Sequence, residues 1–188
     1  SVEGLATMIH LGQARLLEES DIPVTERASY RMLQNMHNQL IHQAMHDDLT
    51  GLINRKEFSR ELKLALEVAK RNDSINLCAY LDLDQFKVIN NTGGHVAGDK
   101  LLVTIARMLK DKLSTFDAKV ARLGGDEFGL LVNDCGSEVG AALTKEIIDS
   151  IKALRFEWEG DVFSLTASMG LYYMHKDTDS VATIMSSA

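Results

Sequence analysis

Ile75-Asn76-Leu77-Cys78-Ala79-Tyr80-Leu81-Asp82-Leu83-Asp84 is the stretch whose reading decides the fold. From Ile75 to Leu83 it is almost continuously apolar, as expected for a central strand covered on both faces. Its carboxyl end carries Asp82 and Asp84. Two residues apart in extended chain, they point to one face, at the strand end where open α/β sheets place ligands. Downstream, Arg122-Leu123-Gly124-Gly125-Asp126-Glu127-Phe128 repeats the arrangement. Lys119–Leu123 and Phe128–Val132 read as strands, and the two glycines permit the tight reversal of a hairpin. Two separate stretches thus place carboxylates where apolar runs meet turns. That layout suits a magnesium-dependent phosphoryl-transfer site, because magnesium prefers carboxylate, carbonyl and phosphate oxygens and takes few protein ligands beside substrate phosphates. An Asp-x-Asp alone is common at strand ends and helix caps; the Gly-Gly-Asp-Glu turn adds the second arm. Lys87, three residues past Asp84, fits either a phosphate-neutralising group or an ordinary surface lysine. Free amides at the start of the short helix after Asp84 offer further phosphate donors.

The flanking periodicities supply the other elements. Asn54, with Glu57 three residues on, reads as a capping box ahead of the apolar stripe Phe58, Leu62, Ala65, Leu66 and Ala69. A short helical turn with Phe86, Val88 and Ile89 leads into a loop over 90–98. A helix then starts at Asp99, with Leu102, Ile105, Leu109 and Leu113 inward. Leu143, Ile147, Ile151 and Leu154 mark another helix. Phe156, Trp158, a Glu159-Gly160-Asp161 turn and the alternating run Phe163, Leu165, Ala167 and Met169 predict a last hairpin. This order implies an α/β (α+β) sandwich with helices over a mainly antiparallel central sheet. Ahead of it, residues 1–20 read as a helix weakened by Gly4 and Gly12, broken at Asp21-Ile22-Pro23. From Glu26 to Met45 a second helix carries Tyr30, Leu33, His37, Leu40 and Ala44 at coiled-coil spacing. That pattern fits a dimerising stalk or a helix packed on its own domain.

The chain has 188 residues, 45% of them hydrophobic and 25% charged, enough for one ordinary domain plus a short extra segment. A net charge of −7 without basic runs argues against general binding to nucleic acid or an anionic membrane surface. Any phosphate must therefore be held locally. Cys78 and Cys135 sit in apolar surroundings and read as reduced core thiols of a cytoplasmic protein. No apolar run reaches the roughly 18 residues of a spanning helix, so no direct membrane contact is expected from this segment, whatever anchors a longer parent.

Gly124-Gly125-Asp126-Glu127-Phe128 resembles the name-giving motif of the GGDEF domains, the diguanylate cyclases. Asp47-Asp48-Leu49-Thr50-Gly51-Leu52-Ile53-Asn54-Arg55 is similar to that family's opening D-x-L-T-G-L-x-N-R. Residues 82–99 match its D-x-D-x-F-K-x-x-N…G-H…G-D stretch. The resemblance covers roughly residues 46–172 and implies a fold like the palm of polymerases and nucleotide cyclases. It divides the chain into an N-terminal helical stalk, 1–45, and a GGDEF domain, 46–188, that lacks the family's usual C-terminal helix with its basic triphosphate contacts. The implied activity condenses two GTP into cyclic di-GMP and pyrophosphate at the interface of a homodimer, with Mg2+ or Mn2+. By position, Asp82, Asp126 and the Leu83 carbonyl match the metal ligands, and Asp126 with Glu127 the catalytic carboxylates. The Phe86 amide and Lys87 match the phosphate-binding group, Asn90 and Asp99 the guanine-edge ligands, and Gly124 and Gly125 the backbone close to the nucleotide. A carboxylate at Asp99 accepts from guanine N1 and N2, a pair of donors adenine lacks. Attached sensory or EAL phosphodiesterase domains are implied for the parent, as in tandem GGDEF-EAL proteins. The alternative is a catalytically silent GTP-binding module controlling such a phosphodiesterase. Three departures stand out. Thr115-Phe116-Asp117-Ala118 replaces the R-x-x-D of the product-inhibition site, Asn91 stands where Asp is common, and Gly94 stands where a bulky residue usually precedes His95. His95, between glycines and a tight loop, reads as structural.

Overall fold

The computed structural model describes residues 24–178 together with 180, 181 and 184. The helix expected over residues 1–20 lies outside them. The chain divides into two compact units, 1–44 and 45–188. Helix α1, Val24–Met45, matches the second helical stretch of the sequence. Tyr30, Leu33 and Leu40 on it are all exposed by more than half, so its apolar seam is open.

In the second unit the elements are β1 (Ile53–Asn54), α2 (Arg55–Asn72), β2 (Asn76–Asp84), α3 (Phe86–Lys112), β3 (Ala118–Gly124), β4 (Glu127–Val132), α4 (Ser137–Ala153), β5 (Phe156–Trp158), β6 (Asp161–Phe163) and β7 (Thr166–Met174). Five strands form one sheet in the order β1-β3-β4-β2-β7, and β5 and β6 form a separate ribbon. Only the two-residue β1 pairs in parallel; the other pairings of the five-stranded sheet are antiparallel. The mixed α/β sandwich with a mainly antiparallel sheet is thus the observed architecture.

The unbroken apolar run of β2 has a simple cause. Alternate residues enter two different cores. Leu77, Ala79, Leu81 and Leu83 join Leu101, Ile105 and Leu109 of α3 and Leu143 and Ile147 of α4. Cys78 faces the other way, into a cluster with Phe58, Leu62 and Leu66 of α2. Leu77, Leu81, Leu83, Phe128 and Leu130 are at most 2% exposed, each contributing about 1.5–3 kcal/mol of burial. The Asn54 side chain caps α2 by accepting the Glu57 amide at 3.0 Å. The Glu57 carboxylate pairs with Arg60 one turn along the helix.

Two sequence expectations are corrected. The loop over 90–98 is helix: α3 runs from Phe86 to Lys112 through a single break at Gly94, φ 78° and ψ 168°. That left-handed φ favours glycine, so any side chain at position 94 would be strained although the space around it is open. The close-packed neighbour is Gly93, where a Cβ would lie 2.8 Å from Ala97 Cβ and 3.4 Å from Trp158 Cδ1. The final hairpin also ends sooner than its alternation suggests. β5 and β6 pair only with each other around Phe156, Trp158 and Phe163, and β7 leaves to run antiparallel to the whole of β2. Among the described residues no helix is long and apolar enough to cross a membrane.

Candidate active site

The acidic strand end and the acidic turn meet because β2 and β4 are neighbours. Asp82 stands opposite Glu127 in their antiparallel register, and the Leu83 amide donates to the Asp126 carbonyl at 3.4 Å. Gly124 and Gly125 take φ of 147° and 52°, making the turn that lets Asp126 and Glu127 return beside Asp82. Burial, followed by the charges of Asp126, Glu127 and Asp84, pushes the Asp82 carboxyl above the ordinary carboxylate range. Negative charge is therefore concentrated at this point without full compensation. Asp84 lies on the same face but is occupied: Thr166 Oγ1 donates to it at 2.6 Å and Ser168 Oγ at 2.8 Å, holding its carboxyl low. These hydroxyls come from β7, so Asp84 serves to lock β7 against β2 at the rim of the site.

A cleft of about 560 Å3 opens on this face, with Arg55, Tyr80, Asp82, Glu127, Ser168 and Gly170 among its lining residues. The donor set fits a hard divalent cation. Asp82 at the end of β2 feels the charge of Asp126 in the turn and of Glu127 at the start of β4, and a cation there would relieve that repulsion. Among the described residues no three Asp, Glu, His or Cys side chains form a ready-made cage. Magnesium is served by such a sparse set when substrate phosphates supply the remaining ligands.

The other sequence-predicted residues lie on α3, not in the lining of that cleft. Phe86 is buried at the first turn, and Lys87 is exposed beside it. Gln85, in the left-handed region at φ 62°, turns the chain from Asp84 into this helix. The break at Gly94 folds the second segment back onto the first: a Cβ on Gly98 would lie 2.0 Å from Asn90 Oδ1. Asn90 is thereby brought against the residue preceding Asp99. His95 is exposed on the second segment, which does not fit a packing role.

Sequence reasoning gave no role to the arginines that brace the turn. Arg122 donates from Nε and Nη2 to the Gly125 carbonyl, at 3.0 and 2.9 Å, and from Nη1 to both Asp47 oxygens at 3.2 Å. Asp47 also accepts the Thr50 amide and hydroxyl at 2.9 and 2.7 Å. Burial alone would raise the Asp47 carboxyl; the Thr50 bonds and the Arg122 cation outweigh it and hold it below the usual range. Arg55 donates from Nε to the Leu123 carbonyl at 2.8 Å and from Nη2 to Glu127 Oε2 at 2.9 Å. The opening motif Asp47–Arg55 therefore fastens the Gly-Gly turn from outside. The signal was present in that motif and in an arginine two residues before the glycines, but the contacts span 68 to 75 residues of chain.

Fold and site together define a mixed α/β domain that presents the acidic end of β2 and the acidic turn before β4 to an open cleft. The family profile described as "Diguanylate cyclase, GGDEF domain" matches residues 44–188. The chain belongs to the GGDEF diguanylate cyclase family. It is 37% identical over 155 residues to the probable diguanylate cyclase DgcE of Escherichia coli (strain K12), covering 82% of this chain and 14% of DgcE. It is 37% identical over 179 residues to diguanylate cyclase TpbB of Pseudomonas aeruginosa, covering 93% of this chain and 40% of TpbB. The chain therefore spans less than half the length of these relatives. Among solved structures, the coiled coil and GGDEF domain of DgcB from Caulobacter crescentus, in complex with c-di-GMP, superposes with a TM-score of 0.78 at 25% identity. It covers 93% of this chain and 89% of that one.

Proposed function

We propose that this chain is a diguanylate cyclase module that condenses two GTP molecules into cyclic di-GMP with release of pyrophosphate. The observation that carries the reading is the approach of the Asp126-Glu127 turn to Asp82: Glu127 pairs with Asp82 across β2 and β4, both line the cleft, and the Asp126 charge acts on Asp82. Asp82, Asp126 and the Leu83 carbonyl would hold Mg2+ or Mn2+. When bound, the cation makes the attacking 3′-hydroxyl more acidic and neutralises charge on the transferring phosphoryl, an effect worth several kcal/mol. Glu127, beside them, is the additional carboxylate at the attacking hydroxyl. The Phe86 amide and Lys87 bind phosphate, Asn90 and Asp99 read the guanine edge, and Gly124 and Gly125 let the backbone approach the nucleotide. Each copy binds one GTP, so the chemistry needs two copies face to face. The open seam of α1 is the element that pairs them. GTP as substrate places the module in the cytoplasm, and the greater length of the relatives leaves room for sensory or phosphodiesterase domains in a parent protein.

Incubation with GTP and Mg2+, with nucleotides separated by chromatography, tests this reading. Cyclic di-GMP and pyrophosphate are expected. Binding of GTP without turnover would mark a silent regulatory module instead, and no binding would refute both. Asp126→Ala and Glu127→Ala should abolish turnover while leaving the circular dichroism spectrum unchanged; full activity in either would overturn the assignment.

A further inference from the structure

Arg55 opens α2, the end of a helix that disfavours cations because its first amide groups carry partial positive charge. That end is already capped by Asn54. The guanidinium turns instead to the tip of β3 and β4, where one planar fork meets the Leu123 carbonyl at 2.8 Å and the Glu127 carboxylate at 2.9 Å. A lysine cannot make both contacts in that geometry. Among the described residues that line the acidic cleft Arg55 is also the one cation, set beside Asp82 and Glu127. Both members of the pair are about half exposed, 56% and 50%, so the pair adds little to stability. Its weight is in orientation and local charge.

We propose that Arg55 is the positioning residue for Glu127: it aims the carboxylate into the cleft, ties it to the backbone just before the Gly-Gly turn, and stands as its counter-ion until a divalent cation binds. The inference rests on the cyclase reading of the same site. Two consequences separate it from a structural role. Removing the unit positive charge set beside the cleft carboxylates tightens divalent-cation binding about three- to tenfold. Losing the fork, even with the charge retained, lets Glu127 wander and lowers the turnover number rather than substrate binding.

The test compares the intact chain with Arg55→Gln and Arg55→Lys. Mn2+ binding without nucleotide, followed by electron paramagnetic resonance, should be about three- to tenfold tighter in R55Q and unchanged in R55K. With GTP and Mg2+, both variants should lose about tenfold or more in kcat with KM for GTP moved by less than about threefold. Unaltered Mn2+ affinity in R55Q, or full kcat in R55K, would overturn the proposal. If the unsubstituted chain forms no cyclic di-GMP, the cyclase reading fails on its own, and the Mn2+ comparison still decides whether Arg55 is the counter-ion of the cleft.

Discussion

Removing Asp47 is the sharpest perturbation of the brace that holds the acidic turn. Arg122 is 14% exposed and Asp47 24%, so Asp47→Ala leaves a mostly buried guanidinium with only the Gly125 carbonyl as partner and breaks two bonds from Thr50. A fully buried pair broken on one side costs about 3–5 kcal/mol. Partial exposure reduces that, and the Thr50 bonds add about 1 kcal/mol each. The expected loss is roughly 2–4 kcal/mol, a Tm fall of about 5–15 °C for a domain of this size. Urea denaturation of the two proteins at several pH values provides the assay. The folded Asp47 carboxyl titrates below its ordinary value, so its stabilisation is complete above that value and fades as pH falls through the lowered one. The difference between the proteins should therefore be largest near neutrality and shrink below about pH 4. A loss under about 0.5 kcal/mol, or one that stays constant or grows toward acid, would refute the reasoning.

Other outcomes follow from single residues. Gly94→Ala places a side chain at φ 78° and should cost about 1–2 kcal/mol, measured as a lowered urea midpoint; an unchanged midpoint would show that the helix break is not fixed by that dihedral. The Cys78 thiol is fully buried, and burial pushes it up to about 12, so it should resist Ellman's reagent at pH 8 until the protein is unfolded. Rapid labelling of native Cys78 would contradict the two-sided burial of β2. Replacing Leu33 and Leu40 together by Glu should leave the spectrum of the folded domain intact while lowering turnover most at low protein concentration; a concentration-independent rate would separate α1 from pairing.

How much of this the sequence disclosed follows the range of the interactions. The strand Asn76–Asp84 was legible because burial on both faces leaves a local signature, an apolar run with no alternation. Asp82 and Asp84 share a face by strand period alone, and the glycines at 124 and 125 declare their turn. Gly93 and Gly94 read as a loop because two glycines lower helix propensity, whereas packing of the flanking turns, with Trp158 beside Gly93, keeps both sides helical. The departure of β7 to lie along β2 was hidden, since nothing near Thr166 names a partner more than 80 residues earlier; the same distance hid the hydroxyls that occupy Asp84. Arg55 and Arg122 were visible as letters of motifs, but their role exists only where β3, β4 and the opening turn are assembled.

The central claim is that the end of β2 and the turn before β4 share one divalent cation. Titration of Mn2+ into the chain with a non-hydrolysable GTP analogue, repeated with Asp82→Asn and Asp126→Asn, tests it most directly. One strong site per chain, weakened about a hundredfold or more by either substitution, is the predicted result. Wild-type Mn2+ affinity in either variant would contradict it.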